Sequence, residues 1–145
     1  YCTIVTDKPT ETKTTDFKFV DCTDADGNHY AVVHIGTQTW MAENLKTTRY
    51  QNHEEIGTTT GEIPNDATSK YQWAYGGNEE NVAKYSRLYT WWAAADSRNI
   101  APAGWHVPTD AEWTTLENYM IASGYNYDGS TAGNKIAKSL GATTD

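Results

Sequence analysis

The residues able to do chemistry in this chain form a few small groups. Asp24, Asp26 and Asn28 stand two apart, matching the first three oxygen positions of a calcium loop. The sixth position of such a loop would be His29 rather than Gly, and the twelfth Ile35 rather than Glu. The bidentate acid that normally fixes the ion is therefore missing. A hairpin turn accounts for the same letters, and no metal ligand is assigned. His29, His34, His53 and His106 contain no i, i+4 pair and have no cysteine partner, so they carry no local zinc pattern. His29 and His34 have opposite parity and would face opposite sides of a strand. Solvent-facing or singly hydrogen-bonded imidazoles are expected.

Cys2 and Cys22 are too few for a disulfide scaffold but can close one loop near the start of the chain. In an oxidising compartment that bridge would contribute about 2–4 kcal/mol; two unpaired thiols are the alternative. Glu112, three residues after Thr109, reads as the far half of a helix cap rather than as a catalytic acid. A nucleophile elbow, a Walker loop and a dinucleotide glycine turn are all missing. No catalytic residue and no cofactor is assigned. The aromatic groups remain: Tyr71, Trp73 and Tyr75 ahead of Gly76-Gly77, and Tyr125 and Tyr127 beside Asp128-Gly129. On a strand the first three would share one face. With Asn78, Glu79, Glu80 and Asn81 nearby, that face suits stacking on sugar rings or a protein contact. A place in the core is the favoured reading, in a chain short of aliphatic residues. Trp40, Trp91, Trp105 and Trp113 are assigned to the core.

These residues need elements to position them. Residues 1–16 are threonine-rich, charged and poor in core formers, and read as an arm or linker ahead of a domain over 17–145. Within the arm, residues 2–6 are β-prone and suit addition to a sheet edge. Phe17, Phe19 and Cys22 hint at a strand. A turn at residues 23–28 leads into a strand over 30–35, and Gly36-Thr37-Gln38 turns it back toward a strand or short irregular segment over 39–45. Residues 51–70 read as a long loop. In residues 87–95, Leu88, Trp91, Trp92 and Ala95 fall at i, i+3, i+4 and i+7, which predicts an amphipathic helix. Thr109 and Glu112 form a capping box, Trp113, Leu116 and Met120 line one face, and Gly124 supplies the stop, so a helix is predicted over 109–123. A short helix is expected over 132–140, ending at Gly141. Strands followed by helices with long loops give an α+β class.

Composition narrows the function. The chain has 145 residues, enough for one domain. Lys plus Arg number 11 against 19 for Asp plus Glu, a net charge of −8. That opposes binding to nucleic acid or to anionic lipid, both of which need a basic face. Apolar residues are 38%, with 10 Tyr and 6 Trp but only 2 Phe and 2 Met. No apolar run is long enough to span a membrane. The chain opens on no charged-then-apolar leader, so any export signal is expected to have been removed already or to lie outside this sequence. Abundant threonine, sparse lysine and an acidic balance fit a secreted or cell-surface protein.

Three motifs in order resemble the Fibrobacter succinogenes major paralogous domain. They are residues 24–45, with Ile35-Gly-Thr-Gln-Thr-Trp-Met-Ala-Glu-Asn-Leu45; Arg87-Leu-Tyr-Thr-Trp-Trp-Ala93; and Pro102-Ala-Gly-Trp-His-Val-Pro-Thr-Asp-Ala-Glu-Trp113. The third also resembles a motif of formylglycine-generating enzymes, which share a fold plan with C-type lectins. The resemblance implies a C-type-lectin-like α+β fold, with a small antiparallel sheet, two main helices and long loops. It also implies an exported bacterial protein. Ala101 stands where many relatives carry cysteine, and Ser86 where they usually carry glycine. Relatives continue past Asp145 into a glycine-rich stretch, so a ligand surface lying there is not expected on these residues. The cysteines on which formylglycine generators depend have no counterpart here, so their oxidase chemistry is not carried over and is only a lesser alternative. The reading is a non-enzymatic surface binding or adhesion module for a glycan or protein partner. The alternative is a self-associating subunit of a surface appendage or filament, built by strand addition.

Overall fold

The computed structural model describes residues 20–59, 61–63 and 68–141. In chain order the strands are β1 (Val32–Ile35), β2 (Gln38–Met41), β3 (Gln72–Ala74) and β4 (Arg87–Tyr89). The helices are α1 (Val82–Tyr85), α2 (Trp91–Ala94), α3 (Asp110–Ala122) and α4 (Ala137–Leu140), with two 3-10 turns ahead of α1. β1 pairs antiparallel with β2, and β3 with β4. Short helices beside small antiparallel sheets make this an α+β protein.

Helix α3 forms where its letters require. The Thr109 hydroxyl accepts from the Glu112 N–H at 3.3 Å, and the Glu112 carboxylate takes the Thr109 N–H at 2.8 Å, closing the capping box. At the far end Tyr125 N–H donates to Met120 O and Gly124 N–H to Ile121 O, with Gly124 at φ +79°. This is a Schellman stop, which needs a residue tolerant of the left-handed region. Leu116 and Met120, one turn apart, are buried against Ile136, with Ile35, Trp40 and Ile121 packed around them. Each such buried side chain contributes about 1.5–3 kcal/mol. Ile35 and Trp40 lie on the same face of the β1–β2 hairpin, so that face covers α3. The tip of the hairpin approaches so closely that a Cβ on Gly36 would sit 2.8 Å from the Tyr119 ring.

A second core joins Tyr50, Ile56, Ala93 and Ile100, with Leu45, Tyr89 and Ala94 against it. Polar side chains finish the interior. Thr47, Gln72 and Asn126 are all buried. The Arg98 guanidinium lies 3.9 Å from the centre of the Tyr50 ring and pairs with Asp96 at 2.8 Å, while Lys70 takes the same carboxylate at 2.7 Å.

Several expectations are corrected. Residues 87–95 are not one helix: Arg87–Tyr89 is a strand, and the Thr90 hydroxyl accepts from Ala93 N–H to start the one-turn α2. The buried residue there is Ala93, and Trp91 is 69% exposed. Trp113 is not core either, being 45% exposed; Trp40 and Trp105 are half-buried. The helix expected over 132–140 is confined to Ala137–Leu140. Tyr75 leaves the strand and begins a 3-10 turn, so the Tyr71, Trp73, Tyr75 alternation breaks at its last member. Residues 1–19, with the arm, Cys2 and the expected strand at Phe17 and Phe19, lie outside the described residues.

Candidate functional site

The described residues form a groove of about 740 Å³, within the range of ligand sites. One wall is β2, the second is the loop over 101–108, and the start of α3 closes one side. Its dominant side chains are Trp40, Trp105 and Trp113, and its lining is mainly apolar. Trp40 and Trp113 meet with ring centres 4.9 Å apart, tilted by 45°. This tilted contact suits the ring quadrupoles.

Polar side chains from elsewhere fix the loop wall. Gln51 Nε2 donates to Ala101 O at 2.9 Å and to Pro102 O at 2.8 Å. Asn99 Nδ2 donates to Trp105 O at 2.8 Å, and Trp105 Nε1 donates to Asp21 O at 2.9 Å. On the opposite side Gln38 Nε2 donates to Glu112 O at 3.2 Å. Gln38 Oε1 and Trp40 Nε1 are shut from solvent, without a partner among the described residues. At the mouth, His106 Nε2 lies 2.8 Å from Glu112 Oε1. The Thr109 N–H and hydroxyl, helped by His106, hold the Glu112 carboxyl down at about 2. Glu112 is thus an ionised cap and a rim charge.

Sequence reasoning assigned these tryptophans to the core and missed the groove. A tryptophan's size suggests burial, and spacing along the chain does not reveal that residues 40, 105 and 113 converge. None of Tyr71, Trp73, Tyr75, Tyr125 and Tyr127 lines it. β3 turns Gln72 and Ala74 inward, leaving Trp73 half-buried beside a hollow of about 220 Å³ formed with Thr59, Gly61, Ile63, Gly76 and Gly77. Tyr71 is half-buried, and Tyr75 is exposed and packs on Tyr85 with centroids 5.4 Å apart. The nearby polar residues are engaged locally. Glu79 pairs with Arg87, the Asn78 side chain accepts from Glu80 N–H, and Asn81 Nδ2 donates to Tyr75 O at 2.9 Å. Tyr125 and Tyr127 are exposed on either side of Asn126. That buried amide donates to Ser130 O and Gly133 O and accepts from Lys135 N–H, which holds the loop after α3.

The acidic triplet is structural. Asp24 accepts from the N–H groups of Asp26 and Asn28, from Asn28 Nδ2 and from the Tyr30 hydroxyl. Asp26 takes Thr48 N–H and hydroxyl and pairs with Arg49. Among the described residues no three His, Cys, Asp or Glu side chains are placed to hold a metal ion. His29 and His34 each meet one threonine hydroxyl, at 2.8 Å. Cys22 is a buried thiol, pushed up by burial and then by Asp21, Asp24 and Glu43. No helix of the described residues is long and apolar enough to cross a membrane.

Searches among curated proteins and among solved structures find no match to this chain. A family model, described as the Fibrobacter succinogenes major domain, matches residues 33–144. That span holds β1 from its second residue, β2, the 101–108 loop and α3, and with them every tryptophan of the groove. The chain belongs to the Fibrobacter succinogenes major domain family.

Proposed function

We propose that this chain is a binding module of a secreted or cell-surface bacterial protein, on a C-type-lectin-like plan, which recognises a protein or glycan partner and performs no chemistry. The observation that carries this reading is the open tryptophan groove. A chain with few aliphatic residues would be expected to bury every indole, yet Trp113 keeps nearly half its surface in water. Large apolar side chains gathered at an open concavity are the usual composition of a recognition site. An acid–histidine pair of the groove, Glu112 and His106, has its carboxylate engaged in the helix cap. The net charge of −8 directs the module away from nucleic acid.

The test is a titration of the intact chain with a glycan panel and with a displayed peptide library, read by tryptophan emission. A binder should shift the emission, and Trp113→Ala should weaken its binding about tenfold or more, as for a central aromatic contact. A binder that is indifferent to Trp113→Ala and Trp105→Ala alike would move recognition away from the groove and refute the proposal.

A further inference from the structure

We propose that the groove is a strand-addition site: an extended peptide, apolar at alternate positions and flanked by lysine or arginine, pairs with the outer edge of β2. This rests on the groove reading above and deepens it by naming the partner's chemistry.

The argument starts from the hairpin register. β1 and β2 pair Val32 with Met41, Val33 with Trp40, His34 with Thr39 and Ile35 with Gln38. The same ladder continues to a bond from Ala42 N–H to Ala31 O at 2.8 Å. In an antiparallel ladder, bonded pairs alternate with non-bonded ones. The bonded pairs are therefore 31 with 42, 33 with 40 and 35 with 38. In the pairs between them the N–H and C=O groups turn away from the partner strand. Thr39 and Met41 thus direct their backbone groups outward from β2. Among the described residues none of these four groups has a hydrogen-bond partner.

That free edge faces the groove. All four β2 residues line it, and no β1 residue does. A row of alternating N–H and C=O groups, repeating every second residue, is complementary to one ligand chemistry, the backbone of another strand. A sugar ring or a lipid chain offers no such repeat. A residue added opposite Trp40 would project on the same face as that indole, toward Trp113, and its second neighbours would follow it. This asks for apolar side chains at alternate positions. The charge of the partner follows from the rim and the whole chain. Asp21 and the ionised Glu112 border the groove, and the protein carries −8. Basic flanks would speed encounter and fix orientation.

The probe is a displayed library of ten-residue peptides, apolar at alternate positions with lysine at both ends, selected on the intact chain. Enrichment over a library with the same composition but no alternation is expected. The best peptide is then made with N-methyl groups on the amides of one parity or the other. Methylation on the parity facing β2 should weaken binding about tenfold, and on the other parity by less than about twofold. Thr39→Pro, which removes an outward N–H and leaves the bonded pairs of the hairpin intact, should weaken it similarly. The peptide comparison does not depend on that variant folding. No enrichment, or equal effects of both parities, overturns the proposal. If Trp113→Ala still abolishes binding while the parities are equal, the groove reading survives and strand addition does not. If Trp113→Ala has no effect either, both readings fail. Self-association of the intact chain that Thr39→Pro removes would assign the edge to a second copy and also overturn the proposal.

Discussion

Ser86 lies at φ 63°, ψ −151°, between α1 and β4. That corner of backbone space belongs almost solely to glycine, and a side chain held there stores about 1–3 kcal/mol. The Ser86 hydroxyl has no hydrogen-bond partner among the described residues, and the Ser86 N–H donates to Val82 O at 3.0 Å as any residue's would. The conformation is imposed from both sides. Tyr85 packs on Tyr75, while Arg87 reaches Gln72 Oε1 at 2.8 Å and Glu79, and β4 is paired with β3. Ser86→Gly should relieve the strain and lose about 0.5–1 kcal/mol to the greater freedom of the unfolded chain. At the middle of both ranges the net gain is about 1.2 kcal/mol, or a rise in Tm of about 4 °C for a chain of this length. Ser86→Ala keeps the Cβ and should stay within about 0.5 kcal/mol of the starting protein. Urea unfolding followed by tryptophan emission, together with a thermal scan, measures both. A Ser86→Gly protein no more stable than its parent would refute the assignment of strain. A large loss in Ser86→Ala would mean that the hydroxyl holds the turn.

Two further outcomes follow from the polar interior. Asp24→Ala deprives the Tyr30 hydroxyl and the N–H groups of Asp26 and Asn28 of their acceptor and should cost about 2–4 kcal/mol in urea unfolding; a Tm raised by excess calcium in the parent and not in the variant would restore the metal reading. Stability should also fall in acid. Arg98 and Lys70 hold the Asp96 carboxyl well below the usual carboxylate range, Lys135 and Ser130 do the same for Asp128, and the Thr109 N–H and hydroxyl for Glu112. Because the folded values lie below the unfolded ones, this stabilisation is complete above about pH 5 and is lost as pH drops toward the folded values. Urea midpoints measured from about pH 6 to about pH 2 should decline in that window, with a smaller decline in Lys70→Gln. Midpoints that stay flat to the acid end would contradict the pairing.

Helix α3 was legible because its signals are local: a cap, its reciprocal acid and a glycine stop, all within sixteen residues of sequence, each with one physical task. The β1–β2 hairpin was legible in part for the same reason: the turn at Gly36 is a local signal, but Gln38, read into that turn, is the first residue of β2, and the strand ends at Met41 rather than running to Leu45. Residues 87–95 misled because four apolar residues in a short window satisfy helical spacing while the chain changes type in the middle. Thr90 ends one element and caps the next, and a hydroxyl there weighs more than the period. The tryptophans misled through size. The interior is instead closed by small or polar groups such as Ala74, Ala93, Thr47 and Gln72. Buried polar side chains of this kind depend on partners far along the sequence, which spacing does not expose. The groove has the same origin, since Asp21, Trp40, Trp105 and Trp113 meet only through the tertiary fold.

Why the groove stays open without an occupant can be weighed from its bonds. Covering the exposed 45% of Trp113 would remove about 110 Å² from water, taking about 250 Å² for the whole side chain, and would gain about 3 kcal/mol. Moving the 101–108 loop inward to do so would break the bonds from Gln51 to Ala101 O and Pro102 O, from Asn99 to Trp105 O, and from Trp105 to Asp21 O. Three of these bonds are part-buried, and each group left unpaired there costs about 1–3 kcal/mol, so together they match or exceed the gain. Collapse from the other side would break the bond from Gln38 to Glu112 O and disturb the contact of Trp40 with Trp113. The polar side chains that took the interior away from the tryptophans are therefore also what holds the tryptophans apart. A partner that entered would meet walls already in place, so the cost of ordering them would not subtract from its affinity.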